Sequence, residues 1–179
     1  MLLNGCGSAG HRVLEQVVEK VYPVEPNANI SIQNHDGAIL VYGSGANQVR
    51  VRSLKRAYSQ ERLNQIAVDI STKPGGVSIV AKFPPQPKWA FSDRSGTVDL
   101  TVVVPATARI SALDLHAGEV FVESMRGSEV RARLNDGRIF ARNCFANFMA
   151  VSNSTRFISD NIRRCCDVPK AIGQSEQKI

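Results

Sequence analysis

Within the opening stretch MLLNGCGSAG, the run from Gly5 to Gly10 matches the G-x-G-x-x-G spacing of dinucleotide-binding loops. In such a loop the glycines let the backbone approach a pyrophosphate, between a buried strand and the helix that follows it. Only Met1 to Asn4 precede Gly5, too few for a first strand of about five residues. The next hundred residues read as strands without alternating helices, so no nucleotide cofactor is expected.

The same letters support a second chemistry. Leu3-Asn4-Gly5-Cys6 resembles the lipobox at which bacterial lipoproteins are cleaved and lipidated on cysteine, and Gly7-Ser8-Ala9-Gly10 behind it reads as a flexible tether. Cys6 is therefore a candidate lipidation site. A signal peptide needs a basic region and an apolar stretch of about 7 to 15 residues, which Met1 to Asn4 cannot supply, so the reading places the true start upstream. A chance L-x-G-C in an unstructured N-terminus is the alternative.

Other chemistry-bearing residues are scattered. Glycosidic hydrolysis requires paired carboxylates across one cleft, but Asp36, Asp69, Asp93, Asp99, Asp114 and Asp136 share no motif. Neither a G-x-S-x-G elbow nor an H-E-x-x-H helix occurs. His11, His35 and His116 stand apart from Cys6, Cys144, Cys165 and Cys166, and Cys-x-x-Cys is absent, so neither a zinc site nor any other metal site is expected. With Cys6 set aside, three cysteines permit one disulfide, from Cys144 to Cys165 or Cys166, and leave one thiol over. Trp89, in Pro87-Lys88-Trp89-Ala90-Phe91, could grip a sugar or peptide, or fold back to cap an open sheet end.

Composition narrows the partners. Twenty-two basic against 16 acidic side chains give a net charge of +6, which favours an anionic envelope polymer or another protein as partner. Aromatics are only 6% of the chain, so stacking platforms for nucleic acid are not evident, and none is expected as partner. No apolar run reaches the roughly 18 residues of a transmembrane helix. Membrane attachment would come only through lipid on Cys6.

The elements that must position these residues announce themselves by self-similarity. HDGAILVYG at 35–43, HAGEVFVES at 116–124 and NDGRIFARN at 135–143 each place a glycine before alternating side chains. Gly37, Gly118 and Gly137 are read as turn glycines leading into strands, because glycine permits positive φ. Gly118 and Gly137 are nineteen residues apart, which predicts two strands and two turns per rung. Alternation puts Val120, Val122, Ile139 and Ala141 inside, and Val130, Ala132 and Leu134 on one face against Arg131 and Arg133. If rungs stack in register, Glu119 lies over Arg138, Phe121 over Phe140 and Glu123 over Arg142. Phe121 and Phe140 then form either a lateral binding patch or the underside of a covering loop.

Further strands are predicted near Ile30–Ile32, Ile39–Tyr42, Gln48–Arg52, Ala67–Ser71, Val77–Phe83 and Thr97–Val104, with one helical turn over Ser59–Gln65. HRVLEQVVEKV carries valines at fourfold spacing, compatible with a helix. The expected division is a tether over 1–15, an all-β repeat domain over 16–152 and a poorly ordered or truncated tail over 153–179. The predicted architecture is a β-solenoid-like stack, with an antiparallel β-sandwich as alternative.

VEKVYPVEPNANISIQNHDGAILVYG, VRVRSLKRA, GTVDLTVVVP and the two glycine rungs resemble the "putative adhesin" family of bacterial β-strand-repeat domains, a domain of unknown function, over about residues 16–148. The resemblance implies a β-repeat fold in exported or envelope-attached proteins and carries no catalytic residues. The expected function is a non-enzymatic cell-envelope module with an adhesin-like binding or structural role. A regulatory envelope-sensing domain is the alternative, and a polysaccharide-active β-helix enzyme a more remote one. Envelope localisation depends on an upstream signal peptide.

Overall fold

The computed structural model of the protein describes residues 12–85, 96–127 and 129–160. Its elements in chain order are β1 (Leu14–Pro23), β2 (Asn29–Ser44), β3 (Gln48–Ala57), α1 (Gln60–Gln65), β4 (Ala67–Lys73), β5 (Gly76–Lys82), β6 (Thr97–Pro105), β7 (Arg109–Glu123), β8 (Glu129–Arg142) and β9 (Asn147–Asp160). The described residues are nearly all β. The strands form one open sheet in the order β1-β3-β6-β2-β7-β8-β9, with β5 joined to β2 and β4 to β5.

The long strands β2, β7, β8 and β9 are parallel neighbours. Gly37 stands opposite Gly118, and Gly118 opposite Gly137, so the nineteen-residue spacing does set the register between β7 and β8. Glu119 faces Arg138, Phe121 faces Phe140 and Glu123 faces Arg142 in that register. The antiparallel pairs are β1 with β3, β3 with β6 and β4 with β5.

The repeated glycines do not end strands. Each lies inside a continuous strand at φ of +119° to +133°, so one long strand and one connection replace the predicted two strands and two turns. The segments expected near Ile30–Ile32 and Ile39–Tyr42 are accordingly the two halves of β2. At each glycine the buried parity switches. Ile30, Ile32 and Asn34 precede Ile39 and Val41; Leu113 and Leu115 precede Val120 and Val122; Val130, Ala132 and Leu134 precede Ile139 and Ala141. Side chains alternate with period two along a strand, so a parity change needs a local break in the pleat, and glycine tolerates the φ that makes it.

Both halves contribute to one core. Full burial of each large aliphatic side chain contributes about 1.5–3 kcal/mol. On the edge away from β7, β2 divides at the same glycine: Asn29 to Gln33 pair with β5, and Gly37 to Ser44 pair with β6. Asn34, only 7% exposed, holds this fork, its Nδ2 donating to the Val98 carbonyl at 2.7 Å and its Oδ1 accepting from His35 N at 2.9 Å. Asp99 Oδ1 accepts from Ala38 N at 3.0 Å on the far side of Gly37. Backbone and side-chain polar groups at the break thus find partners, as burial demands.

The connections stack as well. Arg126 N donates to Ala106 O at 2.7 Å, and Phe145 N to Met125 O at 2.8 Å. Ser124 and Asn143, at equivalent places after β7 and β8, both have positive φ.

Three expectations are corrected. The run with valines at fourfold spacing is not helical over its described residues: Leu14–Pro23 is the outermost strand beyond β3. Fourfold spacing is also a multiple of two, so Val13, Val17 and Val21 share a strand face as well as a helix face. The sheet also begins at Leu14, two residues before the Gln16 start of the predicted repeat domain. Finally, β9 runs to Asp160, with Thr155 standing opposite Gly137, so the strand stack extends past residue 152. The predicted helical turn is present as α1, with Ser59 Oγ accepting from Arg62 N at 3.2 Å and Glu61 in the first turn.

Candidate binding surface

Cys6, Trp89, Cys165 and Cys166 lie outside the described residues, as do GCGSAG and the chain beyond Asp160. Cys144 is described, and it is a free, buried thiol. Its Sγ donates toward Arg142 O at 3.3 Å and Val122 O at 3.6 Å, and burial pushes the thiol up from its ordinary value. Its two candidate disulfide partners, Cys165 and Cys166, are outside the described residues.

Phe121 and Phe140 sit side by side on the outward face, half-buried. Their register neighbours are Leu40 on β2 and Ile158 on β9, so an apolar row crosses four strands. The Phe121 ring meets Tyr42 at 5.8 Å, and Arg138 lies over Phe140 at 5.6 Å.

Charge ladders flank this row. Arg138 reaches Glu119 at 3.3 Å and Arg142 reaches Glu123 at 3.8 Å. On the other half of the strands, Glu129 accepts from both Arg131 and Arg109, and these contacts, Arg131 before Arg109, hold its carboxyl below the usual range. Arg56 bridges Glu15 and Asp99, which raise its already high value. Lys55 donates to the Ile66 and Leu63 carbonyls at the end of α1, and burial lowers its value. These groups hold neighbouring strands or the helix end in place.

A different cluster gathers just before the strand breaks. His35, His116 and Asn135 head the three glycine segments. His116 Nδ1 lies 3.3 Å from Asn135 Nδ2, the His35 and His116 ring centroids are 4.6 Å apart, and His35 also meets Phe83 at 5.9 Å. Beside them opens a cleft of about 650 Å³, lined by Gln33, Asp114, His116, Arg133 and Asn135 among others. The signal was in the sequence, in the residue two places before each glycine, but turn geometry absorbed its meaning there. Among the described residues, no group of three or more His, Cys, Asp or Glu is placed to hold a metal ion. No helix among them is long and apolar enough to cross a membrane.

No protein-family profile and no curated protein sequence matches the chain. Solved structures do. A putative cell adhesion protein from Clostridium sporogenes is similar at 12% identity and a TM-score of 0.50, over 75% of this chain and 68% of that one. A putative adhesin from Bacteroides fragilis aligns at 12% identity and a TM-score of 0.31, over 82% and 79% of the two chains. A putative lipid binding protein from Parabacteroides distasonis aligns at 8% identity and a TM-score of 0.35, over 83% and 61%. At these identities the likeness to the Clostridium sporogenes protein is one of fold: an all-β chain of stacked strands.

Proposed function

We propose that this chain is a non-enzymatic β-repeat module of the bacterial cell envelope, with an adhesin-like binding role. The observation that carries the reading is the in-register parallel stack of β2, β7 and β8, which turns alternate side chains outward in straight rows across neighbouring strands. Such a face offers an extended surface of repeated chemistry, suited to a polymer or a flat partner. The ionisable groups with shifted values, Lys55, Arg56, Glu129 and Cys144, have local structural partners. The fold likeness to a putative cell adhesion protein is consistent with this reading. Attachment through lipid on Cys6 belongs to it.

The test is fractionation of bacteria expressing the natural reading frame with its upstream sequence, followed by metabolic labelling with a fatty acid. Recovery in the envelope fraction, with label lost on Cys6→Ser, is the expected outcome. Recovery in the cytoplasm overturns the reading.

A further inference from the structure

The cleft beside His116 gathers polar and charged side chains from three neighbouring strands. Gln33, Asp114 and Arg133 are register neighbours on three adjacent strands, as the pairings of Gln33 with Asp114 and Asp114 with Arg133 show. His116 and Asn135 sit two positions further along the same strands. The row therefore presents an amide, a carboxylate, a guanidinium and an imidazole across a short span, on a floor that includes Leu115 and Val151. Val151 is 49% exposed.

We propose that this cleft binds an acidic oligosaccharide, with Arg133 on a sugar carboxylate. This rests on the envelope-binding reading and names its ligand class. Arg133 is the basic side chain among the cleft residues, its side chain is 76% exposed, and its nearest carboxylate, Asp114, is 3.9 Å away. Arg131 on the same face is held by Glu129 instead. The planar guanidinium fork matches a carboxylate in two parallel hydrogen bonds. Gln33, Asn135, His116 and the Asp114 carboxylate supply donors and acceptors for sugar hydroxyls. Asp114 also decides the class of anion: one cation beside one fixed carboxylate tolerates a single negative charge per sugar and repels a densely charged phosphate polymer. The His116 ring lines the cleft and is backed by the His35 ring at 4.6 Å, offering a flat surface to the C–H face of a pyranose.

Calorimetric titration of the full chain with hexagalacturonate, and in parallel with neutral maltohexaose, tests the proposal. Saturable binding of the acidic oligomer alone is expected. Arg133→Ala and Asn135→Ala, both exposed and outside the core, should each weaken it about tenfold, the scale of one lost charge-assisted or neutral hydrogen-bond set. Arg52→Ala, on β3 and remote in the sheet order, should leave it unchanged. Absence of binding, equal binding of the neutral oligomer, or equal loss in Arg52→Ala each overturns it. Envelope recovery is read separately, so a protein found in the envelope that ignores the oligouronate sinks the cleft and leaves the module standing.

Discussion

Gly118 lies so close beneath Gly37 that a Cβ on residue 118 would come within 1.8 Å of the Gly37 carbonyl oxygen. The same contact repeats one strand on, where a Cβ at residue 137 would meet the Gly118 carbonyl oxygen at 1.9 Å. Two constraints therefore coincide at one column: a φ that side chains rarely adopt, and a neighbouring backbone that leaves no room.

Gly118→Ala should lower stability by at least about 3 kcal/mol, since backbone strain alone costs on the order of 1–3 kcal/mol and the clash adds to it. Gly45 is the control, because a Cβ there meets nothing within 4 Å. Gly45→Ala should stay within about 0.5 kcal/mol of the parent. Urea unfolding followed by circular dichroism measures both, and equal losses would refute the column.

The ladder pairs predict weak, salt-sensitive coupling. A double-mutant cycle on Glu119→Ala and Arg138→Ala should return a favourable interaction of about 0.2–1 kcal/mol at low salt, declining as ionic strength rises. Zero coupling under low salt would mean that the 3.3 Å contact is not maintained in solution.

Glu129 predicts an acid-side dependence. Hydrogen bonds from Arg131 and then Arg109 lower its value from the ordinary 4.5, so the fold favours the ionised form. Its contribution is present above about 4.5 and is lost as pH falls through the lower folded value. Glu129→Gln should therefore be less stable than the parent at neutral pH and converge with it in strong acid. A difference that stays constant with pH would contradict the ion-pair origin.

Cys144 should resist alkylation in the native state, because burial disfavours its thiolate and Sγ is engaged by two backbone carbonyls. Mass spectrometry after iodoacetamide treatment should find the Cys144 peptide unmodified without urea and modified with it. Rapid native labelling would place the thiol at the surface.

The chain's own letters settled the all-β class, the inward places of Val120 and Val122 on β7 and of Val130, Ala132, Leu134, Ile139 and Ala141 on β8, the cap at Ser59 and the register of Glu119 with Arg138. Each of these depends on alternation, on a local capping bond or on a repeat length, and all three are properties of short windows. Tertiary structure alone decided that Gly37, Gly118 and Gly137 break the pleat within continuous strands, because both halves of each strand must face one core. It also decided that Leu14–Pro23 is a strand, since a valine spacing of four suits both periods and only the edge of β3 selects between them. The gathering of Gln33, Asp114 and Arg133 belongs to the same category: β2 and β7 are far apart in the chain, and nothing short of their parallel pairing brings those three side chains to one cleft.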